Sequence, residues 1–534
     1  MKRLIALCLA LMLTLTGCSG LSIPVVYPGE YTAYEDMTYT RPDMKTMATL
    51  LDRYCQTARE STNVKEVLNM VEGYYNSYDR FQTMYTLAYI EYNRDVTSAY
   101  WEEEYQFCMD HSDDMDADLE EFYMALAQSP IRNQLEEEYF GAGFFESYDG
   151  ESFWDPGLME LLDREGELIG NYYALCEQAD ELEYYSPEYF DAYAEPLCQA
   201  LIDLVLHRRT IAEYLGYDSY PEFAYEFYHY RDYTPAQAMA YTDSIRAEMA
   251  ELYRQVSQSD VWASGYEPCT ESDMHRYVTS AAKNMNGLIW EAYTLMEAGK
   301  LYDIGYSETK FDISFETFLA SYHQPYVFVN PTDYRMDCLS FAHEFGHFVT
   351  DYAFWEGSWA GTDVLEVFSQ GMEYLSLFYS DGADEGLLRY KLADTLATYV
   401  EQSAYAAFEQ ALYELPEQEL TTDHVFALYQ QTMESFGVDF EALGWDSRDL
   451  VTVPHFYTDP LYIISYVVSI DAAFQIYQLE QEQTGAGLAR FEEHVTTECQ
   501  YFLDFIKEAG LVSPFAPGRA SEAAEALAEI LPQG

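Results

Sequence analysis

Basic residues are scarce in this chain. Against 93 Asp and Glu it carries 27 Lys and Arg, a formal net charge of −66 over 534 residues. A surface of that sign repels phosphate backbones, so no nucleic acid is expected as a partner. Cysteine is sparse too, nine in all with no repeated close spacing. That excludes a zinc ribbon or a readable disulfide framework and leaves buried thiols as the expectation. Proline and glycine, 18 and 28, are too few and too scattered for a fibrous or low-complexity chain. After residue 20 no uncharged apolar run reaches the roughly 18 residues that a membrane helix needs.

What is present is a globular composition, 49% hydrophobic, in a chain long enough for two or three subdomains. The 52 tyrosines suit helix interfaces, where the ring packs and the hydroxyl reaches a partner or water. The opening "MKRLIALCLALMLTLTGCSG" has a basic start at Lys2 and Arg3, then an apolar run to about Leu15, then small residues. This pattern reads as an export signal over residues 1–17. Leu15-Thr16-Gly17-Cys18 resembles the bacterial lipobox. It implies cleavage before Cys18, a lipid on that cysteine, and attachment to the outer, extracytoplasmic face of a bacterial cell membrane.

Residues 18–43 mix Pro, Gly and Tyr without helical period and read as a spacer between lipid and body. From 44 to 255 apolar residues recur every three to four positions, which predicts an N-terminal helical region. The acidic clusters Glu102 to Glu104 and Glu136 to Glu138 read there as solvated helix faces. The remainder, 256–534, holds the chemistry. Short β-branched runs bounded by Gly, Pro and Asn at 300–331 predict two or three strands. Helices are predicted at about 363–380, 386–413 and 422–435, and another from near Leu461 after the loop "VPHFYTDP".

Just after the strands comes "CLSFAHEFGHFVTDYAF". On a helix His343 and His347 lie one turn apart on one face, and Glu344 can reach a water held by the same ion. Two histidines and a glutamate are costly to bury in such an apolar helix without a partner, and a metal supplies one. A catalytic zinc takes three protein ligands and keeps an open position. Glu366, in the following helical segment "GTDVLEVFSQGMEYLSLFY", is the expected third. Glu373 is either the rival ligand or a carboxylate that orients a histidine from behind.

These residues resemble the oligoendopeptidase F and thimet oligopeptidase family of zinc metallopeptidases. The likeness lies in His343-Glu344-Phe345-Gly346-His347, then Glu366-Val367-Phe368-Ser369 and Glu373. It extends to "YTRPDMKTM", "HRRTIAEYLGYDSYPEFAYEFYHYRDYTPAQ", "PYVFVN" and "VPHFY", roughly residues 38 to 512. The resemblance implies a mainly α, two-lobed zincin-type body with a deep substrate channel and a small β-sheet beside the zinc helix. It implies one Zn2+ per chain on His343, His347 and Glu366, Glu344 as general base, and short unfolded peptides as substrates. His455, Tyr462 and Tyr466 match the family's substrate-facing histidine and tyrosines, with Tyr457 the alternative if the register differs by the extra residue in this stretch. The strand Tyr326, Val327, Phe328, Val329, Asn330 is expected to pair with an extended peptide. Two other readings are a helical zinc carboxydipeptidase, which needs a basic residue for the substrate's terminal carboxylate, and a peptide-binding lipoprotein, which would show alternating strands and helices.

Overall fold

A computed structural model describes residues 31–531, apart from 151, 180–181, 183–185, 355–356, 359 and 498. The expected signal at 1–17 and Cys18 therefore lie outside the described residues. Among them no helix is long and apolar enough to cross a membrane.

Helices make up 73% of the structure, with one three-stranded sheet. Long amphipathic segments become the expected helices, among them α1 (Val64–Arg94), α2 (Pro187–Tyr214) and α3 (Glu271–Met285). Their ends carry local signals. Ser186 caps α2 through the Tyr189 N–H, and Pro187 follows at the first position. Thr270 and Asp273 close a reciprocal capping box on α3.

Buried apolar side chains fall into two clusters. The smaller runs from Leu51 to Tyr148. The larger runs from Met84 to Leu531 and takes in helices on both sides of residue 255. The second half of the expected spacer also belongs to the body. Gln324 exchanges side-chain hydrogen bonds with the Thr32 backbone, 2.7 and 2.9 Å, and the Tyr34 ring lies 4.5 Å from that of Tyr326. Arg41 and Tyr39 both reach Glu104. Glu104 is therefore buried in an ion pair rather than on a solvated face, while Glu102 and Glu103 stay exposed. Tyr241 and Tyr399 behave as expected, packing internally while both hydroxyls donate to Asp471.

The sheet comprises β1 (Tyr302–Asp303), β2 (Ser314–Leu319) and β3 (Gln324–Val329), in the order β1-β3-β2. β3 is central and wholly buried, parallel to β1 and antiparallel to β2. The expectation that Tyr326, Val327, Phe328, Val329 and Asn330 pair with a peptide needs correcting. Val327 and Phe328 have strand partners on both sides, and Asn330 N–H donates to Ile313 O, so those backbone groups are taken up. β1 and β2 form the two edges of the sheet, both mostly half-buried, and β2 is the longer.

From β3 the chain turns into α4 (Asp337–Ala353). Asp337 Oδ2 shapes that turn by accepting the Thr332 and Tyr334 N–H groups, each at 3.0 Å. Helices α5 (Thr362–Tyr379), α6 (Glu385–Ala397) and α7 (Ser403–Glu414) follow, and later α8 (Ile464–Glu482). Leu461 precedes α8 in a left-handed conformation, so that helix begins three residues later than its apolar pattern predicts.

Candidate metal centre

α4 is apolar nearly all round and almost wholly buried, yet it carries His343, Glu344 and His347. It packs face to face with α5, and Gly346 sets their spacing. A Cβ there would lie 2.7 Å from Ser369 Cα and 2.8 Å from Phe368 O, so only glycine permits this approach. The contact brings α5's Glu366 against both histidines. Glu366 Oε2 is 3.4 Å from His343 Nε2 and 3.9 Å from His347 Nε2. The three residues offer donor atoms within 4.8 Å of one another. Two imidazoles and a carboxylate are the donor types a catalytic zinc takes, so the residues present fit the ion. The histidine side chains keep 21% and 17% of their surface exposed, which leaves one side of the trio open.

Glu373, left open between two roles, lies behind His343. Its Oε1 is 2.9 Å from His343 Nδ1, and its Oε2 is 2.6 Å from Lys391 Nζ. It orients the ring so that Nε2 faces Glu366 and His347, the arrangement that fixes a ligating histidine's tautomer. Lys391 lies on α6 with its side chain 3% exposed, and it also pairs with Asp394 at 2.9 Å.

Burial opposes charge on Glu366, but the hydrogen bond and charge of His343 and the charge of His347 outweigh it, holding this carboxyl down at about 2. Burial likewise works against Glu373, and Lys391 and His343 again prevail, so it too is lowered. Burial pushes His347 down to about 4, keeping it a neutral imidazole. Glu344 is pushed up to about 7, first by burial and then by Glu366 and Glu373, against the pull of His343. The backbone of Glu316 in β2 lies near enough to pull it down slightly, so that strand runs beside the group best placed to move a proton.

The later segment reaches the same place. Tyr462 OH donates to Glu366 Oε1 at 2.7 Å, and Ser369 Oγ donates to Glu366 Oε2 at 2.9 Å. Tyr466 OH is 3.4 Å from His455 Nε2, and the rings of His455, Tyr462 and Tyr466 lie 5.2 to 6.0 Å apart. Burial raises both phenols and lowers the imidazole, so all three are neutral near pH 7. Tyr457 points elsewhere: it stacks on Tyr172 at 3.9 Å and donates to Leu197 O. Sequence reasoning missed Lys391, and with it Arg208 and Arg231, whose guanidiniums bind backbone carbonyls of 456–462. The quoted stretch 207–237 contains both arginines, but nothing local to it signals partners so far along the chain.

Fold and site together define a mainly helical protein with a candidate His-His-Glu metal centre. Residues 34–150 match the family model for the peptidase M3 N-terminal domain. No curated protein sequence matches the chain. Solved structures do share its fold. PZ peptidase A, solved with an inhibitor, has a TM-score of 0.78 at 18% identity, covering 92% of this chain and 98% of its own. Two proteins assigned as oligoendopeptidase F have TM-scores of 0.77 and 0.76 at 20% and 18% identity, each covering 93% of this chain and 98% of its own; the second is from Bacillus anthracis. One domain of the chain thus matches the M3 family model, and the chain as a whole shares its helical fold with these peptidases.

Proposed function

We propose that this chain is a zinc-dependent endopeptidase that cleaves short, unstructured peptides at the outer cell surface, tethered by lipid on Cys18. The convergence of His343, His347 and Glu366 on one point, beside the buried Glu344, carries the reading. Zinc held by those three residues would supply Lewis acidity toward water and the scissile carbonyl.

Glu344 takes the proton from the attacking water and passes it to the leaving amine, a role suited to a carboxyl raised to about 7. Tyr462, Tyr466 and His455 are neutral donors on the far side and can stabilise charge developing on the carbonyl oxygen. An extended substrate is assigned to the outer edge of β2, where backbone pairing gives binding with little side-chain selectivity. The cations buried near the site, Arg208, Arg231 and Lys391, are all engaged by protein groups. None of these is free to anchor a terminal carboxylate, which favours internal cleavage over dipeptide release.

The test uses the soluble form, residues 19–534, incubated with a mixed peptide library with and without chelator, the products being sequenced. Internal cuts that need zinc, and that vanish in a Glu344→Gln variant still holding about one zinc per chain, are expected. Dipeptides alone would favour the carboxydipeptidase reading, and undiminished cleavage by Glu344→Gln would reject the assigned base. Release of the full-length protein from membranes on Cys18→Ser tests the tether.

A further inference from the structure

Tyr462 is delivered by a backbone that is not at rest. Leu461 has φ +62°, a conformation that costs an L residue free energy and persists only where surroundings impose it. Three buried side chains from two other segments impose it. Glu409 of α7 accepts the Leu461 N–H at 2.6 Å, and His229 Nε2 donates to Pro460 O at 2.8 Å. Arg231 does the most. Its Nη1 donates to Leu461 O at 2.9 Å, and its Nη2 to Ser465 Oγ at 2.8 Å and to Tyr462 O at 3.4 Å. Its Nε faces Asp363 at 3.4 Å. Asp363 lies in the first turn of α5, one turn before Glu366, and is also held by Tyr233 OH at 2.6 Å.

We propose that Arg231 is a positioning residue for the peptidase reaction: one rigid guanidinium grips the backbone around Tyr462 and the start of the Glu366 helix, and so fixes the phenol relative to the metal centre. The proposal rests on the peptidase reading above. Geometry explains why arginine serves. The planar fork presents donors in fixed directions, whereas an ammonium is a point charge on a flexible stem. The side chain is wholly buried, with the Tyr225 ring 4.4 Å from its carbon centre, so water cannot readily stand in for a lost bond. A donor held in place before substrate arrives need not reorganise during the reaction, and that is how such a donor contributes most.

The experiment compares Arg231→Lys and Ser465→Ala, each alone and combined with Tyr462→Phe, using a peptide that the library digest shows to be cleaved. The readouts are kcat, KM, zinc content, and amide hydrogen exchange over residues 459–466 in the metal-free protein. A misplaced donor should lower kcat about ten- to a hundredfold in Arg231→Lys and less in Ser465→Ala, with KM and zinc content nearly unchanged. Exchange at 459–466 should rise in both. Neither substitution should slow a protein that already carries Tyr462→Phe. A purely structural ion pair would instead lower the unfolding temperature and leave kcat intact.

Wild-type kcat in folded Arg231→Lys overturns the proposal. So does an undiminished further loss on top of Tyr462→Phe, or unchanged exchange at 459–466. Ser465→Ala removes only a hydroxyl and keeps the test open should Arg231→Lys not fold. If the wild-type protein cleaves no peptide, the functional reading fails, while the exchange measurement still decides whether Arg231 holds the segment.

Discussion

Lys391→Met should loosen the metal centre without touching any of its three donors. Lys391 Nζ lies 2.6 Å from Glu373 Oε2 inside the protein, and Glu373 in turn holds His343 Nδ1 at 2.9 Å. Methionine keeps an unbranched chain one atom shorter and removes the charge. Glu373, whose side chain is 10% exposed, then keeps His343 as its principal partner, whereas Asp394 at 39% is wet enough to recover hydration. Breaking a buried pair by removing one partner costs about 3 to 5 kcal/mol, and the exposure of Asp394 points to the lower end. The part of this that reaches the metal is smaller, because the imidazole stays in place but is less firmly oriented. Loss of a group behind a ligand typically weakens metal affinity about 10- to 100-fold, or roughly 1.4 to 2.7 kcal/mol. Competition for zinc against a chromophoric chelator measures this directly, and circular dichroism reports whether the variant is folded. Lys391→Arg, which keeps the charge, should lose less. A folded Lys391→Met protein that binds zinc within about threefold of wild type would refute the chain of reasoning from Lys391 through Glu373 to His343.

Two further outcomes are expected. Glu409, raised to about 8 chiefly by burial, keeps its proton in the folded state while the unfolded chain releases it near the ordinary value of 4.5. The unfolded state thus binds fewer protons between those limits, and stability falls as pH rises through them, by up to about 1.4 kcal/mol per pH unit from this group. Glu409→Gln should remove that slope, and urea unfolding of the metal-free protein at pH 5 and 8 will reveal it; parallel curves for the two proteins would exclude the assignment. Gly346→Ala should cost about 1 to 3 kcal/mol by forcing α4 and α5 apart. Zinc retention should fall with it, and an unfolding temperature and chelator competition both equal to wild type would contradict the close approach.

How much of this was legible beforehand depends on the range over which the signal acts. His343, His347 and Glu366 could be read because helical period places the first two on one face, and the segment after them has length enough to return. The helices at 362–379 and 422–435 follow from apolar spacing for the same reason. Strand order could not be read: the apolar run at 324–329 announces burial but not which neighbours bury it, and β3, expected to pair with a peptide, already has strands on both sides. Glu104 shows the limit for charge. Within "WEEEYQF" nothing separates it from Glu102 and Glu103, because its partners Arg41 and Tyr39 lie far back in the chain. Glu373 stayed undecided for a similar reason, since its role depends on a lysine on the next helix. Arg208 and Arg231 bind main-chain carbonyls, which every residue carries, and their acidic partners Glu165 and Asp363 lie far from them in the sequence.

The positions of these cations bear on how the protein should respond to ionic strength. Arg208, Arg231 and Lys391 meet their partners away from water, where dissolved ions hardly reach. Most of the 93 acidic groups, by contrast, outnumber the available cations and repel one another across the surface. Salt shortens the range of that repulsion to about 10 Å at 0.1 M and about 3 Å at 1 M. Added salt should therefore relieve strain at the surface while leaving the internal pairs at the site intact. Brine, which loosens proteins built on exposed ion pairs, should tighten this one.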